Sequence, residues 1–235
     1  MEDKKQKGAI NTRADLKTEK GPKITDKHIA VYFAYLIRSY RNPNGTEPHR
    51  YLYLKDISKK EIGNIVGVSQ PTIRMAEQRL EELGYIYFSE DRKIIYFPDH
   101  NVYSWIPIEC LTLLLELSKS KECGGDIIRL YAALHYYKKE SQSFSARTWV
   151  YAFGLSETNQ SNYLHIHVLL YVLKLYGFID YTLNTAVARG RKQYLSYENV
   201  VVLDVNNLVK YDETAAPLGD RVEEYKRLVM TDLIE

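Results

Sequence analysis

"SQPTIRMAEQRLEELGYIYFSEDRKIIYFPD", residues Ser69–Asp99, changes its pattern at Gly84. Before Gly84, apolar residues recur every three or four positions, which predicts an amphipathic helix that begins after a Ser69 cap. After Gly84, aromatic and β-branched residues flank a short charged break, which predicts two strands at residues 85–88 and 93–97. The stretch therefore predicts a helix that leads directly into a β-hairpin.

The residues before Ser69 predict two further helices. An apolar stripe begins at Ile24 and is stopped by the turn-forming Asn42-Pro43-Asn44-Gly45. Ser58 then caps a short helix that continues to Val66, and Gly67-Val68 forms the turn into the next helix. The predicted order is helix, short helix, glycine turn, longer helix and hairpin.

The same pattern returns later in the chain. Ser58, Gly67 and Ser69 recur 87 positions later as Ser145, Gly154 and Ser156, and we expect Ser156, like Ser69, to be a helix cap. "LEELGYIYF" is answered by "LKLYGFIDY", in which the glycine comes 93 positions after Gly84, so we expect the second long helix to have about one and a half extra turns. The chain therefore contains an internal repeat of a whole domain.

The order of elements resembles the winged helix-turn-helix family, and "GVSQPTIRMAEQRLEELGYI" is similar to its recognition-helix signature. The second copy, "SETNQSNYLHIHVLLYVLKLYGFI", is longer and lacks the threonine-hydrophobic-arginine run. The resemblance implies a mostly α, α+β fold with small β-hairpins, built as two tandem winged helix-turn-helix domains at residues 24–100 and 101–205. A flexible basic arm is expected at 1–23, and a tail with an amphipathic helix at 206–235.

The resemblance also implies binding to double-stranded DNA, with the start of each recognition helix in a major groove and the wings on phosphates. Arginine suits a guanine edge and glutamine an adenine edge. "ARGRKQ", at the tip of the second wing, suits phosphates or a narrow minor groove. The expected DNA contacts are Lys59, Lys60, Ser69, Gln70, Thr72, Arg74, Gln78, Arg92, Lys93, Arg147, Thr158, Asn159, Gln160, Asn162, Tyr163, Arg189, Arg191 and Lys192.

Other function classes find little support. A net charge of +2 excludes a general polycation, and Cys110 and Cys123 lack the spacing of a zinc site. His165 and His167 lie two apart on a predicted helix, so their rings face different directions and do not form a metal site. No nucleophile with a base and no phosphate loop is recognisable. We expect a cytoplasmic protein without enzymatic activity, cofactor, metal or membrane span.

Two questions stay open from the sequence. The stripe Val222, Tyr225, Val229 and Leu233 predicts an amphipathic C-terminal helix; packing on the chain's own core is favoured, and a homodimer through this helix is the alternative. The expected role is transcriptional regulation, with a plasmid or phage replication initiator as the first alternative. The second alternative is an interaction subunit of a chromosome-condensing complex, which the near-neutral charge favours and the polar first turns oppose.

Overall fold

The computed structural model describes residues 9–13, 24–42, 48, 50–98, 103–136, 142–187, 193–209 and 217–234. Its fold class is α+β, as expected, with helices joined by small antiparallel sheets. The helices are α1 (Asp26–Arg38), α2 (Lys59–Val66), α3 (Gln70–Glu82), α4 (Ile108–Leu117), α5 (Asp126–Tyr136), α6 (Ala146–Ala152), α7 (Gln160–Leu175) and α8 (Leu218–Ile234), with a 3-10 turn at Val205–Asn207.

The strands form three antiparallel sheets. They are β1 (Ala9–Arg13), β2 (Tyr40–Arg41), β3 (Arg50–Tyr53), β4 (Tyr87–Phe88), β5 (Ile94–Phe97), β6 (Tyr103–Pro107), β7 (Gln142–Ser145), β8 (Ile179–Val187) and β9 (Gln193–Val202). Strands β1 and β6 form one pair; the other sheets have the orders β2-β3-β5-β4 and β7-β9-β8. The predicted hairpin after α3 is thus confirmed as β4 and β5, extended by β3 from before α2.

The element order of the first half recurs in the second. After a long helix, β3, α2, α3, β4 and β5 correspond to β7, α6, α7, β8 and β9, and the strand orders β3-β5-β4 and β7-β9-β8 are the same. The glycines that end the helices also match, since Gly67 and Gly154 have φ values of 69° and 65°, and Gly84 and Gly177 have 69° and 74°. These backbone conformations suit glycine because other residues are strained there.

Helix α1 joins the two halves. Its residues 29–36 are all buried, and it packs against α2 and α3 on one side and against α4 and α5 on the other. A Cβ atom at Gly125 would lie 1.9 Å from the carbonyl oxygen of Asp26, so α1 and the start of α5 meet backbone to backbone. Nearly all buried apolar residues of the two halves consequently form one continuous core, and Leu195, Tyr225 and Val229 form a small separate cluster.

The N-terminal segment differs from the flexible arm expected at residues 1–23. Residues 9–13 form β1, which pairs antiparallel with β6 so that Ile10 is opposite Ile106. The expectation was wrong for these five residues because their hydrogen-bond partners lie at least ninety positions away and leave no local pattern. The rest of the segment lies outside the described residues.

The C-terminal helix packs on its own chain. In α8, Val222, Tyr225 and Val229 are buried, and the Tyr225 ring stacks on Tyr171 of α7 with 4.1 Å between centroids. Three of the four residues of the stripe that suggested a homodimer are therefore buried within the chain, where α8 contacts α7 and β9, and the structure does not support the dimer alternative. The side chain of Leu233 lies outside the described residues. Within the described part of the chain, no helix is long and apolar enough to cross a membrane.

Candidate nucleic-acid interface

The turn between α2 and α3 fixes the start of α3. Gly67 ends α2 in the left-handed conformation, with its N–H donating to the Gly63 carbonyl oxygen. A Cβ at Gly63 would lie 2.6 Å from the carbonyl oxygen of Val68, so the chain after the turn packs directly on the α2 backbone. Any larger residue at Gly63 must displace the turn, and with it the first residues of α3.

The first turn of α3 presents polar groups to solvent. Ser69 caps the helix, as predicted, because its Oγ accepts a hydrogen bond from the Thr72 N–H at 3.4 Å. The Ser69 and Thr72 hydroxyls are also hydrogen-bonded to each other at 2.9 Å, which commits part of both groups to the cap. Gln70 and Arg74 are exposed, and no ion pair within the described residues holds the Arg74 guanidinium.

The C-terminal end of α3 is acidic, and its side chains bond to one another. The Gln78 amide donates to Glu82 Oε1 at 3.0 Å, and Arg79 forms an ion pair with Glu82 at 2.6 Å. The hydrogen bonds from Arg79 and then Gln78 lower the pKa of the Glu82 carboxyl. Gln78, a predicted DNA contact, is thus partly engaged.

Met75, which the sequence did not predict as a surface contact, is 68% exposed beside Arg74.

Lys59 and Lys60, adjacent on α2, have different surroundings. Lys59 Nζ donates to Glu77 Oε2, and the buried Glu77 carboxylate also accepts a hydrogen bond from the Tyr35 hydroxyl at 2.6 Å. Burial and then the bond to Glu77 raise the pKa of Tyr35. The Lys59 charge is therefore neutralised by a carboxylate, whereas Lys60 is exposed.

The β4–β5 hairpin, which is the predicted first wing, has little uncompensated positive charge. Arg92 forms an ion pair with Glu81 at 3.2 Å, and its guanidinium lies 4.1 Å from the centroid of the Phe88 ring. Lys93 pairs with Asp91 at 3.0 Å. Hydrogen bonds from the Ser89 hydroxyl and then from Lys93 lower the pKa of Asp91 to about 2. Both predicted phosphate contacts in this wing are thus paired with carboxylates.

The start of α7 differs from the prediction. Asn159, not Ser156, is the cap, since its side-chain oxygen accepts from the Ser161 N–H at 3.0 Å. The prediction for Ser156 was wrong because three polar residues, 157–159, intervene before the helix, and two of them, Thr158 and Asn159, also suit a cap. The interval from Ser156 to Gly177 is six residues longer than the interval from Ser69 to Gly84. Helix α7 has 16 residues and α3 has 13, so only half of this difference lies in the helix.

The polar residues around the start of α7 are partly engaged within the protein. Thr158 is hydrogen-bonded to the Ser156 hydroxyl at 2.9 Å, and the Asn162 amide donates to the Ser156 carbonyl oxygen at 2.9 Å. Tyr163 is half-buried against the core. Gln160 is exposed at the first position of the helix.

The sequence predicts four positively charged DNA contacts in the second unit. Arg147 on α6 pairs with Glu157 at 2.8 Å while remaining 72% exposed. Arg189, Arg191 and Lys192 lie outside the described residues. The strands on either side are paired as far as Val187 and Gln193, so residues 188–192 connect the ends of a long hairpin.

The two histidines of α7 have separate partners. His165 Nε2 lies 3.2 Å from Asp126 Oδ2 on α5. His167 is buried, its Nδ1 contacts the Tyr197 hydroxyl, and burial lowers its pKa to about 4. Within the described residues, no three potential ligand side chains come together as a metal site.

Comparisons with known proteins give little further information. No family model matches the sequence, and no curated protein matches it. One solved structure, a crystal structure of an IclR family transcriptional regulator from Brucella abortus, has 13% identity to this chain. The alignment covers 93% of this chain and 97% of that chain with a TM-score of 0.21, which is too low to carry an argument about fold or function.

Proposed function

We propose that this chain is a non-enzymatic, sequence-specific double-stranded DNA-binding protein, with two tandem winged helix-turn-helix units and a role in transcriptional regulation. The observation that carries the proposal is the exposed polar first turn of α3, held by the Ser69 cap and by the close turn at Gly63 and Gly67. A recognition helix needs such a turn because its N-terminal residues meet the base edges.

In the proposed complex, α3 reads the major groove. Arg74 donates two hydrogen bonds to a guanine edge, and Gln70 pairs with an adenine edge. The positive end of the helix dipole and Lys60 face the phosphates. The acidic C-terminal end of α3 lies away from the DNA, as its Glu82 pairs with Arg79 rather than with an external cation.

The second unit contributes through a smaller surface. We propose that it contacts DNA through the first turn of α7, where Gln160 is exposed. The basic residues Arg189, Arg191 and Lys192, which lie outside the described residues, are proposed as phosphate contacts on their sequence alone. The two helices differ in length and in their contact residues, so the two half-sites are expected to differ in sequence. The site of one protein molecule is then asymmetric, with half-sites about one helical turn, or ~10 base pairs, apart.

Selection from a random duplex library followed by a salt titration tests the proposal. We expect one enriched sequence and a plot of log affinity against log salt with a slope of about −0.9 for each phosphate contact. Inserting five base pairs between the half-sites should remove the gain from the second unit, because it turns one groove to the far side of the helix. A flat salt response, or a library without enrichment, contradicts the proposal.

A second candidate is an interaction subunit that presents α3 to a protein. Four of the predicted DNA contacts are each paired with a carboxylate, namely Lys59, Arg92, Lys93 and Arg147. This pairing favours the second candidate because it leaves less positive charge to bind phosphates. The exposed Met75 also suits a protein surface. If this candidate is correct, the duplex selection gives no enrichment, and Met75→Glu prevents co-purification of a partner that the unmodified chain retains.

A further inference from the structure

The four-stranded sheet of the first half, β2-β3-β5-β4, is called the first sheet here, and its solvent side carries a row of tyrosines. Strand pairing places Tyr40 opposite Tyr51, Tyr51 opposite Tyr96, and Tyr96 opposite Tyr87, so one tyrosine from each of the four strands lies in the same row. Tyr53, two residues along β3, packs against the rings of Tyr40 and Tyr51. We call these five residues the tyrosine face.

The tyrosine face lies opposite the core. Neighbouring residues on the same strands, Leu52 and Ile95, are at most 1% exposed and pack into the protein. Successive side chains of a strand point to opposite sides, so the tyrosines point outward. Tyr40, Tyr53 and Tyr87 are 46%, 36% and 39% exposed. The outer side of such a sheet usually carries polar side chains, and here it carries aromatic rings.

The rings support one another in fixed positions. Tyr87 and Tyr96 are stacked with centroids 4.9 Å apart, and Tyr51 and Tyr53 meet edge to face at 5.4 Å. Tyr40 lies 5.8 Å from Tyr51. Cross-strand aromatic pairs stabilise a sheet. That role alone leaves unexplained why large ring surfaces remain in contact with solvent, and a planar ligand would cover them.

Positive charge borders the tyrosine face. Lys55 lies 5.2 Å from the centroid of the Tyr53 ring. It forms no ion pair within the described residues. Arg41 is exposed next to Tyr40 on β2, but the alternation of the strand places it on the other side of the sheet. The acidic neighbours are Asp56, which accepts from the Tyr40 hydroxyl at 3.1 Å, and Asp91, which pairs with Lys93.

A cleft adjoins the row at one end. It has a volume of about 370 Å³, and its lining includes Tyr53, Lys55, Lys93 and Asp91. Lys93 pairs with Asp91 there, so the Tyr53 ring and the Lys55 ammonium are the groups of this concave surface that suit a ligand. This combination suits a base that stacks on the ring and a phosphate that contacts a cation.

We propose that the tyrosine face binds a short unpaired nucleic-acid strand. Two or three bases stack on the rings, and the sugar-phosphate backbone passes Lys55. Four-stranded sheets that bind RNA use aromatic side chains in this way, and base stacking on aromatic rings tolerates any base. The proposal does not require α3 to read duplex DNA, so either can fail without the other.

Fluorescence anisotropy with labelled 12-nucleotide strands of deoxythymidine and of uridine tests the proposal on the full chain. We expect binding of at least one strand, and Tyr53→Leu or Tyr87→Leu should each weaken it about five-fold to 150-fold. The two strands differ in the sugar and in the thymine methyl group, so a third strand of deoxyuridine shows whether the sugar matters. Tyr151→Leu is the matched control: Tyr151 is 71% exposed on α6, away from the sheet, and its variant should bind as the unmodified chain does.

A second measurement covers variants that fail to fold. With the unmodified chain, a strand containing 5-iodouracil should crosslink on irradiation to peptides that contain residues 40–53 or 87–96. The proposal is overturned if neither strand binds, if the control variant loses as much affinity, or if crosslinks map only to other peptides. It is also overturned if the tyrosine variants lower the oligomeric state of the chain, because the face then joins two copies.

Discussion

Helices α3 and α7 occupy equivalent places in the two halves, yet their outer sides differ. Measured from the caps Ser69 and Asn159, Gln70 corresponds to Gln160, and both are exposed. The next outward position differs, because Arg74 is exposed whereas its counterpart Leu164 packs against Tyr225 and Val229 of α8.

The same shift occurs further along the two helices. Gln78 is exposed, and its counterpart Val168 is buried; Glu81 corresponds to Tyr171, which stacks on Tyr225. A repeated helix can therefore keep its place in the fold while its outer surface is covered by another element. We infer that α3 has room to read a full groove and that α7 offers only its first turn.

The largest expected effect is on stability, and it comes from removing the α8 side chain that covers α7. Tyr225→Ala should lower the free energy of unfolding by about 3–5 kcal/mol, because it removes a buried ring and its stack on Tyr171. Urea denaturation measures the change. Tyr151→Ala, at an exposed position, should stay within about 0.5 kcal/mol of the unmodified chain. Equal losses for the two variants would mean that α8 does not hold α7.

The next effect is on the affinity for DNA and on base preference. Arg74→Ala should weaken binding to the selected duplex by about 1–3 kcal/mol and relax the preference at one base pair. Gln160→Ala should cost less, about 0.5–1.5 kcal/mol, because the second helix contributes one neutral hydrogen-bonding group. Anisotropy titrations with selected and scrambled duplexes measure both. If Gln160→Ala costs more than Arg74→Ala, α7 is the main reader.

A third difference is pH dependence. Glu77 and His167 each stand eight residues after their cap and are buried, but Glu77 pairs with Lys59 whereas His167 contacts a phenol. The pKa of His167 is lowered from 6.5 to about 4, so the unfolded chain binds the extra proton between these values. Its contribution to stability is fully present above pH 6.5 and is lost as pH falls toward 4.

The expected size is about 2 kcal/mol of unfolding free energy lost between pH 7 and pH 5. His167→Phe carries no titratable group, so its pH dependence should be flatter by this amount. Denaturation midpoints at several pH values measure the difference. An unchanged slope in the variant would show that His167 takes up a proton as readily in the folded chain as in the unfolded one.

The smallest effect compares the caps. Ser69→Ala and Asn159→Ala should each lower the free energy of unfolding by about 1 kcal/mol, because each leaves an N–H of the first turn without its acceptor. Ser156→Ala should change it by less than about 0.5 kcal/mol, since Ser156 does not cap α7. A loss for Ser156→Ala as large as that for Ser69→Ala would move the start of α7.

These contrasts show which features the sequence could reveal. Ser58, Ser69 and Gly84 were predicted because caps and glycine turns depend on a few neighbouring residues. The start of α7 was missed because Glu157, Thr158 and Asn159 all suit a turn. Local patterns did not distinguish between them.

The features that decide the interface were harder to predict. The pairs Lys59–Glu77 and Arg92–Glu81 join residues that are 18 and 11 positions apart, and their contacts depend on how helices and wing pack. The tyrosine face depends on the register of four strands, and β2 is only two residues long. Alternation within one strand predicts which residues share a side, but not what the neighbouring strand places beside them.

The backbone contact between Asp26 and Gly125 has a consequence for synthesis of the chain. One side of α1 is covered by α4 and α5, which leave the ribosome after the first sheet is complete. At ~5–20 residues per second, the roughly forty residues from Phe97 to Tyr136 take about 2–8 s to appear. During that interval the apolar side of α1 is open to chaperones, and the N-terminal half reaches its final packing only when α5 arrives.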